Sequence, residues 1–145
     1  MAPAGQRHVR GHRTVPHTAD VILEAWGPEL ASCCEEAVAA LVDTYVAGGD
    51  VTTVAERRVR VECPSAEAAL LAVLDEVIFA LDVAEGVPVA ARIGEAGTGG
   101  LSVVVQLADR ERLEPTGAVP KAVSRSGLQV DVRRGRVGCR FLVDL

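Results

Sequence analysis

Long apolar runs are missing from this 145-residue sequence, although 49% of its residues are hydrophobic. No run approaches the roughly 20 residues that a membrane-spanning helix needs. The opening segment, Met1 to Arg13, is also too polar for a secretion signal. The sequence therefore predicts a cytoplasmic protein with neither a membrane span nor a signal peptide.

Lysine is almost absent, because Lys121 is the only lysine among 15 basic residues. With a formal net charge of −5 and a pI of about 5.2, the chain lacks an overall positive field that would attract nucleic acid. This balance argues against strong direct nucleic-acid binding and favours a protein partner or a small ligand. Four arginines do gather near the C-terminal end: Arg133, Arg134, Arg136 and Arg140. A local phosphate contact there stays open beside the simpler interpretation, a hairpin with a solvated face.

Recognisable cysteine and histidine motifs are missing as well. The cysteines have neither Cys-x-x-Cys nor Cys/His metal spacing, and their apolar neighbours predict buried, reduced thiols. They are Cys33, Cys34, Cys63 and Cys139. There is no Ser-His-Asp set, and of the 3 histidines His8 and His12 fall in residues 1–12, which we expect to form a flexible tail. An enzyme acting on its own is therefore the less favoured interpretation.

Residue periodicity predicts one α+β domain over residues 13–145. Helical spacing predicts a helix at about 29–47 and another that Ser65 caps and that runs past Leu81. Alternating apolar positions predict strands at about 21–26, 51–63, 87–93, 101–107, 128–132 and 137–145. About six mostly antiparallel strands with two helices packed on the sheet make a two-layer sandwich.

Two aspartates at opposite ends of the chain are the most informative residues. Asp20 precedes the first predicted strand, and period two places Asp144 on the face of the last strand away from its apolar side chains. If these strands are neighbours, both side chains and the terminal carboxylate of Leu145 would meet at one edge. Three close carboxylates repel one another unless a cation neutralises them, and oxygen ligands suit calcium or magnesium better than zinc. On the residues alone, a turn-capping Asp20 and a merely exposed Asp144 remain an alternative.

Several segments resemble the archease family over nearly the whole chain, from about Arg13 to Leu145. The specific part is His17-Thr18-Ala19-Asp20-Val21 with Glu24-Ala25-Trp26-Gly27. Supporting segments are Glu35-Glu36-Ala37, Leu70-Leu71, Leu74-Asp75-Glu76-Val77-Ile78, Pro120-Lys121-Ala122-Val123 and Phe141-Leu142-Val143-Asp144-Leu145. The chain departs from the family at Ser124-Arg125-Ser126, where threonine, tyrosine and histidine are common, and at Leu113, where histidine is usual. These departures concern partner contact or activation.

The resemblance implies an accessory protein and not an enzyme. Archeases assist the RtcB-type RNA ligase in tRNA splicing and RNA repair, promoting its guanylylation and multiple turnover. The resemblance also implies a divalent metal, calcium with magnesium as an alternative, at Asp20, Asp144 and Leu145. We interpret His17 as orienting the loop that holds Asp20, because a hard oxygen site gains little from neutral imidazole. The alternatives are a ligand-binding or chaperone-like module without ligase activation and a small metal-dependent hydrolase.

Overall fold

The computed structural model describes residues 9–16 and 20–145, and the structural statements below refer to these residues. The elements, in chain order, are β1 (Gly11–Pro16), β2 (Asp20–Gly27), α1 (Leu30–Asp43), β3 (Val46–Gly49), β4 (Thr53–Glu62), α2 (Ala66–Val83), β5 (Val87–Glu95), β6 (Gly100–Ala108), a 3-10 helix (Arg110–Arg112), β7 (Leu113–Pro115), β8 (Ala122–Val123), β9 (Gln129–Arg133) and β10 (Arg136–Asp144). Within this part of the chain, neither α-helix has the length and apolar character needed to cross a bilayer.

The strands form three sheets with antiparallel pairing. A five-stranded sheet has the order β1-β2-β10-β8, with β9 also paired to β10, and a three-stranded sheet has the order β4-β6-β5. Strands β3 and β7 form a small separate ladder. The predicted α+β class and the two helices are confirmed, whereas the expected number of about six strands is too low for the ten described. Strands β3, β7 and β8 span only four, three and two residues, too few for alternation to reveal them.

Helix α1 ends earlier than its periodicity predicts. It stops at Asp43, where the Thr44 hydroxyl donates to the Leu41 carbonyl at 2.6 Å. The expected last turn instead forms β3, because Val46 pairs with Pro115 of β7. Gly49 has a φ of +101°, and a Cβ there would lie 2.9 Å from the Leu113 Cα, so both conformation and space require glycine.

Helix α2 begins as the sequence predicts. The Ser65 side chain accepts a hydrogen bond from the Ala68 amide at 3.1 Å, which satisfies one of the free amides of the first turn. Glu67 lies in that turn, where its negative charge interacts favourably with the positive end of the helix dipole. The buried face of α2 is formed by Ala69, Leu70, Val73, Leu74, Val77 and Ala80.

The core lies where the helices meet both large sheets. Helix α1 packs on β1, β2 and β10 and also on β5, while α2 packs on β4, β5, β6, β8 and β9. The largest fully buried side chains include Phe141, Leu23, Leu41, Leu70 and Leu74. Burial of each such side chain stabilises the fold by about 1.5–3 kcal/mol, so this core fixes how β2 and β10 lie beside each other.

The first strand includes residues that the sequence analysis placed in a tail. Gly11 and His12 belong to β1, so the expectation that His12 lies in a loose segment is wrong. Its ring hydrogen-bonds α1 at both nitrogens, with Nδ1 2.9 Å from Glu36 Oε1 and Nε2 3.1 Å from Asp43 Oδ2. Local sequence pattern cannot show partners so distant along the chain. The rest of the predicted tail, 1–8, and therefore His8, lies outside the described residues.

Candidate metal centre

The register between β2 and β10 places Asp20 directly opposite Asp144. Directly opposed residues of an antiparallel pair point to the same face, with their Cβ atoms about 4.5–5.5 Å apart. The structure thus brings together the two aspartates that the sequence singled out, from opposite ends of the domain. It also meets the condition on which their convergence depended, because the first and last predicted strands are neighbours.

Both carboxylates lie on the face of the sheet that points away from the helices. Along β10, Val137, Cys139, Phe141 and Val143 are buried, whereas Asp144 is exposed, and Asp20 opposite it is half-buried. The next outward-facing pair is Ile22 with Leu142, followed by Glu24 with Arg140. One apolar pair therefore separates the acidic pair from the nearest outward-facing arginine along these two strands.

The backbone around Asp144 is held on both sides. It pairs with Asp20 in β2 and with Ala122 in β8, and its carbonyl accepts a hydrogen bond from the Lys121 amide at 2.7 Å. The half-buried Leu145 packs against the hydrophobic core directly after Asp144. Because the neighbouring strand and the core fix this segment, the acidic pair lies on rigid backbone.

The charges of the pair lack compensation in the described structure. Neither carboxylate forms an ion pair with a described basic residue, and like charges directly opposite each other destabilise a sheet. Within residues 9–16 and 20–145, no three side chains of His, Cys, Asp or Glu converge. Two side chains and the Leu145 carboxylate are the predicted ligands here, and His17 lies outside the described residues.

This donor set fits a hard cation. Carboxylate oxygens are the ligands that calcium and magnesium take, and the exposure of Asp144 leaves coordination positions for water. The predicted ligands are all carboxylates, whereas zinc sites are built mostly from cysteine and histidine, so this donor set does not resemble a zinc site. The residues therefore fit calcium or magnesium, and their role as metal ligands stays a prediction.

Lys121 is a neighbour of this site to which the sequence analysis assigned no role. It is exposed and immediately precedes β8. Its backbone amide donates a hydrogen bond to the Asp144 carbonyl. The available signal was its place in the Pro120-Lys121-Ala122-Val123 segment together with its being the only lysine in the chain. Pattern alone could not show that this segment pairs with the end of β10.

The other residues that the sequence singled out have structural environments of their own. Arg133, Arg134 and Arg140 are exposed on the β9–β10 hairpin, as the solvated-face interpretation predicts. Half-buried Trp26 packs closely on β1, because a Cβ on Gly11 would lie 2.7 Å from its ring, and the Arg136 guanidinium lies 5.6 Å from the ring centre.

The departures from the family pattern fall in two places. Leu113 begins β7 and packs against the core opposite Gly49, within the small β3–β7 ladder. The Ser124 amide donates to the Leu142 carbonyl at 2.9 Å, and its hydroxyl lies 3.1 Å from that of Ser126. Only the serine segment therefore adjoins the strand that carries Asp144.

Sequence comparison gives a consistent relationship. Residues 12–145 match the model of the archease protein family (MTH1598/TM1083). Curated proteins named "Probable protein archease" from two strains of Mycobacterium tuberculosis, CDC 1551 / Oshkosh and ATCC 25618 / H37Rv, are each 38% identical to this chain over 135 residues. That similarity covers 93% of this chain and 74% of each relative.

Solved structures share the fold. The solution structure of Methanobacterium thermoautotrophicum protein 1598 matches with a TM-score of 0.69 at 21% identity, covering 93% of this chain and 99% of that one. A crystal structure from Thermotoga maritima, described as an archease and possible chaperone, matches with a TM-score of 0.66 at 20% identity, covering 97% and 100% of the two chains. At these identities the structural likeness supports the fold alone.

Proposed function

Because this chain belongs to the archease family, we propose that it activates an RtcB-type RNA ligase in tRNA splicing and RNA repair. In this role it acts in the cytoplasm as an accessory protein, promoting ligase guanylylation and multiple turnover. The observation that carries the proposal is the cross-strand pairing of Asp20 with Asp144 at the ends of β2 and β10.

Asp20, Asp144 and the Leu145 carboxylate would hold a divalent cation, calcium in the first place and magnesium as the alternative. The bound cation would neutralise the acidic pair and polarise oxygen atoms presented to it. The chain's own residues contribute rigidity: β2 and β8 hold the Asp144 backbone, and the core holds the Leu145 side chain. The backbone of the proposed binding surface is therefore preorganised for its partner.

In this proposal the acidic edge docks at the ligase active site. There it helps to arrange the nucleotide, the metals or the acceptor histidine for nucleotide transfer. The half-buried pair of Ile22 and Leu142 lies directly beside the acids and offers apolar contact area.

The proposal is tested by measuring guanylylation of a purified ligase with and without this protein. Asp20→Asn and Asp144→Asn each remove one metal-binding charge while keeping the side-chain size. We expect each to lower the stimulated rate by at least about tenfold, since losses of this size follow even weaker perturbations of metal sites. The measurement is single-turnover labelling of the ligase with guanine nucleotide.

The matched control is Asp82→Asn, which removes a carboxylate from an exposed position of α2. It should stimulate the ligase as well as the unmodified protein. Circular dichroism would first establish that all three variants are folded. Full stimulation by folded Asp20→Asn and Asp144→Asn variants would refute the proposed role of the acidic edge.

A chaperone-like role is the second candidate, and one surface observation favours it. Phe79 and Val83 lie one helical turn apart on α2 and are 49% and 51% exposed, and the Arg57 guanidinium lies 5.0 Å from the centre of the Phe79 ring. They could contact unfolded clients, in line with the description of the Thermotoga protein as a possible chaperone. If client aggregation were suppressed and ligase guanylylation unchanged, this second role would replace the first.

A further inference from the structure

Cys33 of α1 and Cys139 of β10 form a buried pair of thiols. Their residues are 1% and 7% exposed, and each thiol shifts the pKa of the other. The backbone of Ala25 ties the two positions together. Its carbonyl accepts from the Cys33 thiol at 3.7 Å, and Ala25 lies directly opposite Cys139 in the sheet. Both cysteines thus lie beside Ala25, where the helix packs on the strand pair.

The surroundings make the two thiols chemically unequal. The hydrogen bond from Cys139 lowers the pKa of Cys33, and the nearby Arg136 charge acts in the same direction. The same hydrogen bond and burial raise the pKa of Cys139. A cysteine reacts through its thiolate, so a lowered pKa raises its reactivity toward an oxidant small enough to reach it. Cys33 therefore has the properties of an attacking thiol, and Cys139 those of a resolving thiol that stays protonated.

The adjacent Cys34 provides an internal contrast. It is fully buried, and burial raises its pKa to about 12, so it remains an unreactive thiol at neutral pH. Cys63 is the most exposed of the four, being half-buried just after β4. Exposure alone would thus select Cys63 for oxidation, whereas pairing selects Cys33 and Cys139.

We propose that Cys33 and Cys139 are a modification site at which a small peroxide produces a reversible disulfide between α1 and β10. The Cys33 thiolate attacks hydrogen peroxide, the O–O bond breaks, and a sulfenic acid and hydroxide form. The Cys139 sulfur then attacks the Cys33 sulfur. The S–O bond breaks, the S–S bond forms, and the departing oxygen leaves as water with the Cys139 proton. The peroxide is the two-electron oxidant, and both sulfurs are oxidised.

The cross-link would join α1 to the strand that carries Asp144. Cys139 and Asp144 lie in the same strand, whose position beside β2 sets the spacing of the acidic pair. Oxidation therefore fixes the packing of α1 on the strand pair that carries the two aspartates, which lie five positions further along each strand. The inference does not depend on the ligase role, since its readout is a covalent bond within this chain.

The test is oxidation of the folded full-length protein with dilute hydrogen peroxide, followed by alkylation of the remaining thiols under denaturing conditions. We expect an intact mass that corresponds to one disulfide and two alkylated cysteines, reverting on addition of dithiothreitol. Tryptic digestion without reduction should then join peptide 14–57, which holds Cys33 and Cys34, to peptide 137–140, which holds Cys139.

Variants assign the bond within the first peptide. Cys33→Ala and Cys139→Ala should each abolish the cross-link, whereas Cys34→Ala and Cys63→Ala should retain it. A cross-link lost in Cys34→Ala, a dimer joined through Cys63, or no cross-link under conditions that fully oxidise an unstructured dithiol peptide would each overturn the proposal. Mapping on the unmodified protein keeps the test valid even where an alanine variant fails to fold.

Discussion

Tyr45 shows how the core accommodates a single polar group. Its side chain is 6% exposed, and its hydroxyl donates to the Pro88 carbonyl at 2.6 Å, across 43 positions of sequence. Desolvation raises the pKa of this phenol well above its ordinary value of 10.0. The hydrogen bond thus ties the end of α1 to β5 through a group that must stay protonated.

Replacing this residue tests both the bond and the pKa shift. Tyr45→Phe should destabilise the protein by about 1–3 kcal/mol at neutral pH, because the buried Pro88 carbonyl loses its partner. Since the folded-state pKa is raised, the stabilisation from the neutral phenol is complete below pH 10.0 and declines as pH rises beyond it. Urea unfolding at neutral and alkaline pH measures the effect.

The difference between the two proteins should therefore shrink as pH rises above 10.0, because the variant has no phenol to ionise. Comparing the two removes contributions from other groups that titrate in the same range. Equal stability at neutral pH together with parallel alkaline curves would contradict this account of Tyr45.

Individual residues were predictable from sequence to different extents. Ser65 caps α2 through a contact three residues away, so local pattern was sufficient to find it. His12 was missed because its partners Glu36 and Asp43 lie 24 and 31 positions along the chain. The hydrogen bond between Lys121 and Asp144 could not be predicted for the same reason, since it depends on strand pairing.

At the scale of elements, the joint between β2 and α1 depends on a close approach at Gly27. A Cβ at this position would lie 2.9 Å from the Cys33 amide nitrogen and would also overlap the Ser32 side chain. Ser32 forms part of the N-terminal cap of α1, where its hydroxyl donates to the Glu29 carbonyl at 3.0 Å. Space and not turn geometry therefore requires glycine here.

Gly27→Ala should destabilise the fold by about 1–3 kcal/mol, since overpacking at a rigid contact forces the backbone to shift. Gly138→Ala is the matched control, because it lies in the neighbouring strand of the same sheet and its Cβ would meet only the Ala25 carbonyl at 3.9 Å. The measurement is equilibrium urea unfolding of both variants. Equal stabilities for the two would show that Gly27 tolerates a side chain.

Elements with strong local periodicity were the ones that sequence could predict. The long helix α2 and the strands β4, β5, β6 and β10 each carry enough residues for their pattern to be clear. Strand β3 was predicted as the end of α1 because its few residues are compatible with both helix and strand. Its pairing with β7 makes it a strand. Such tertiary pairing cannot be read from a four-residue segment.

At the scale of the whole molecule, the pairing of β2 with β10 joins the two ends of the domain. Sequence predicted both strands and both aspartates, but it gave their adjacency only as a condition. Strand order depends on contacts between distant segments, here through the shared packing of β2 and β10 against α1. The same long-range pairing leaves two like charges opposed at the ends of β2 and β10.

The most direct test of the account is a calcium titration of stability, because the central claim is that this acidic pair holds a divalent cation. When a chelator removes divalent cations, the free energy of unfolding of Asp144→Asn should be equal to that of the unmodified protein or higher by up to about 1 kcal/mol. The reason is that opposed like charges destabilise a sheet. Calcium at a hundredfold excess over its dissociation constant should stabilise the unmodified protein by about 2.7 kcal/mol.

Thermal unfolding with calcium, and separately with magnesium, measures these changes, and Asp82→Asn serves as the control that should respond like the unmodified protein. The account predicts a calcium-dependent rise in unfolding temperature that Asp20→Asn and Asp144→Asn both lose. The account would be contradicted if neither cation changed the unfolding temperature of the unmodified protein. It would also be contradicted if the cations raised the unfolding temperature of the aspartate variants as much as that of the control.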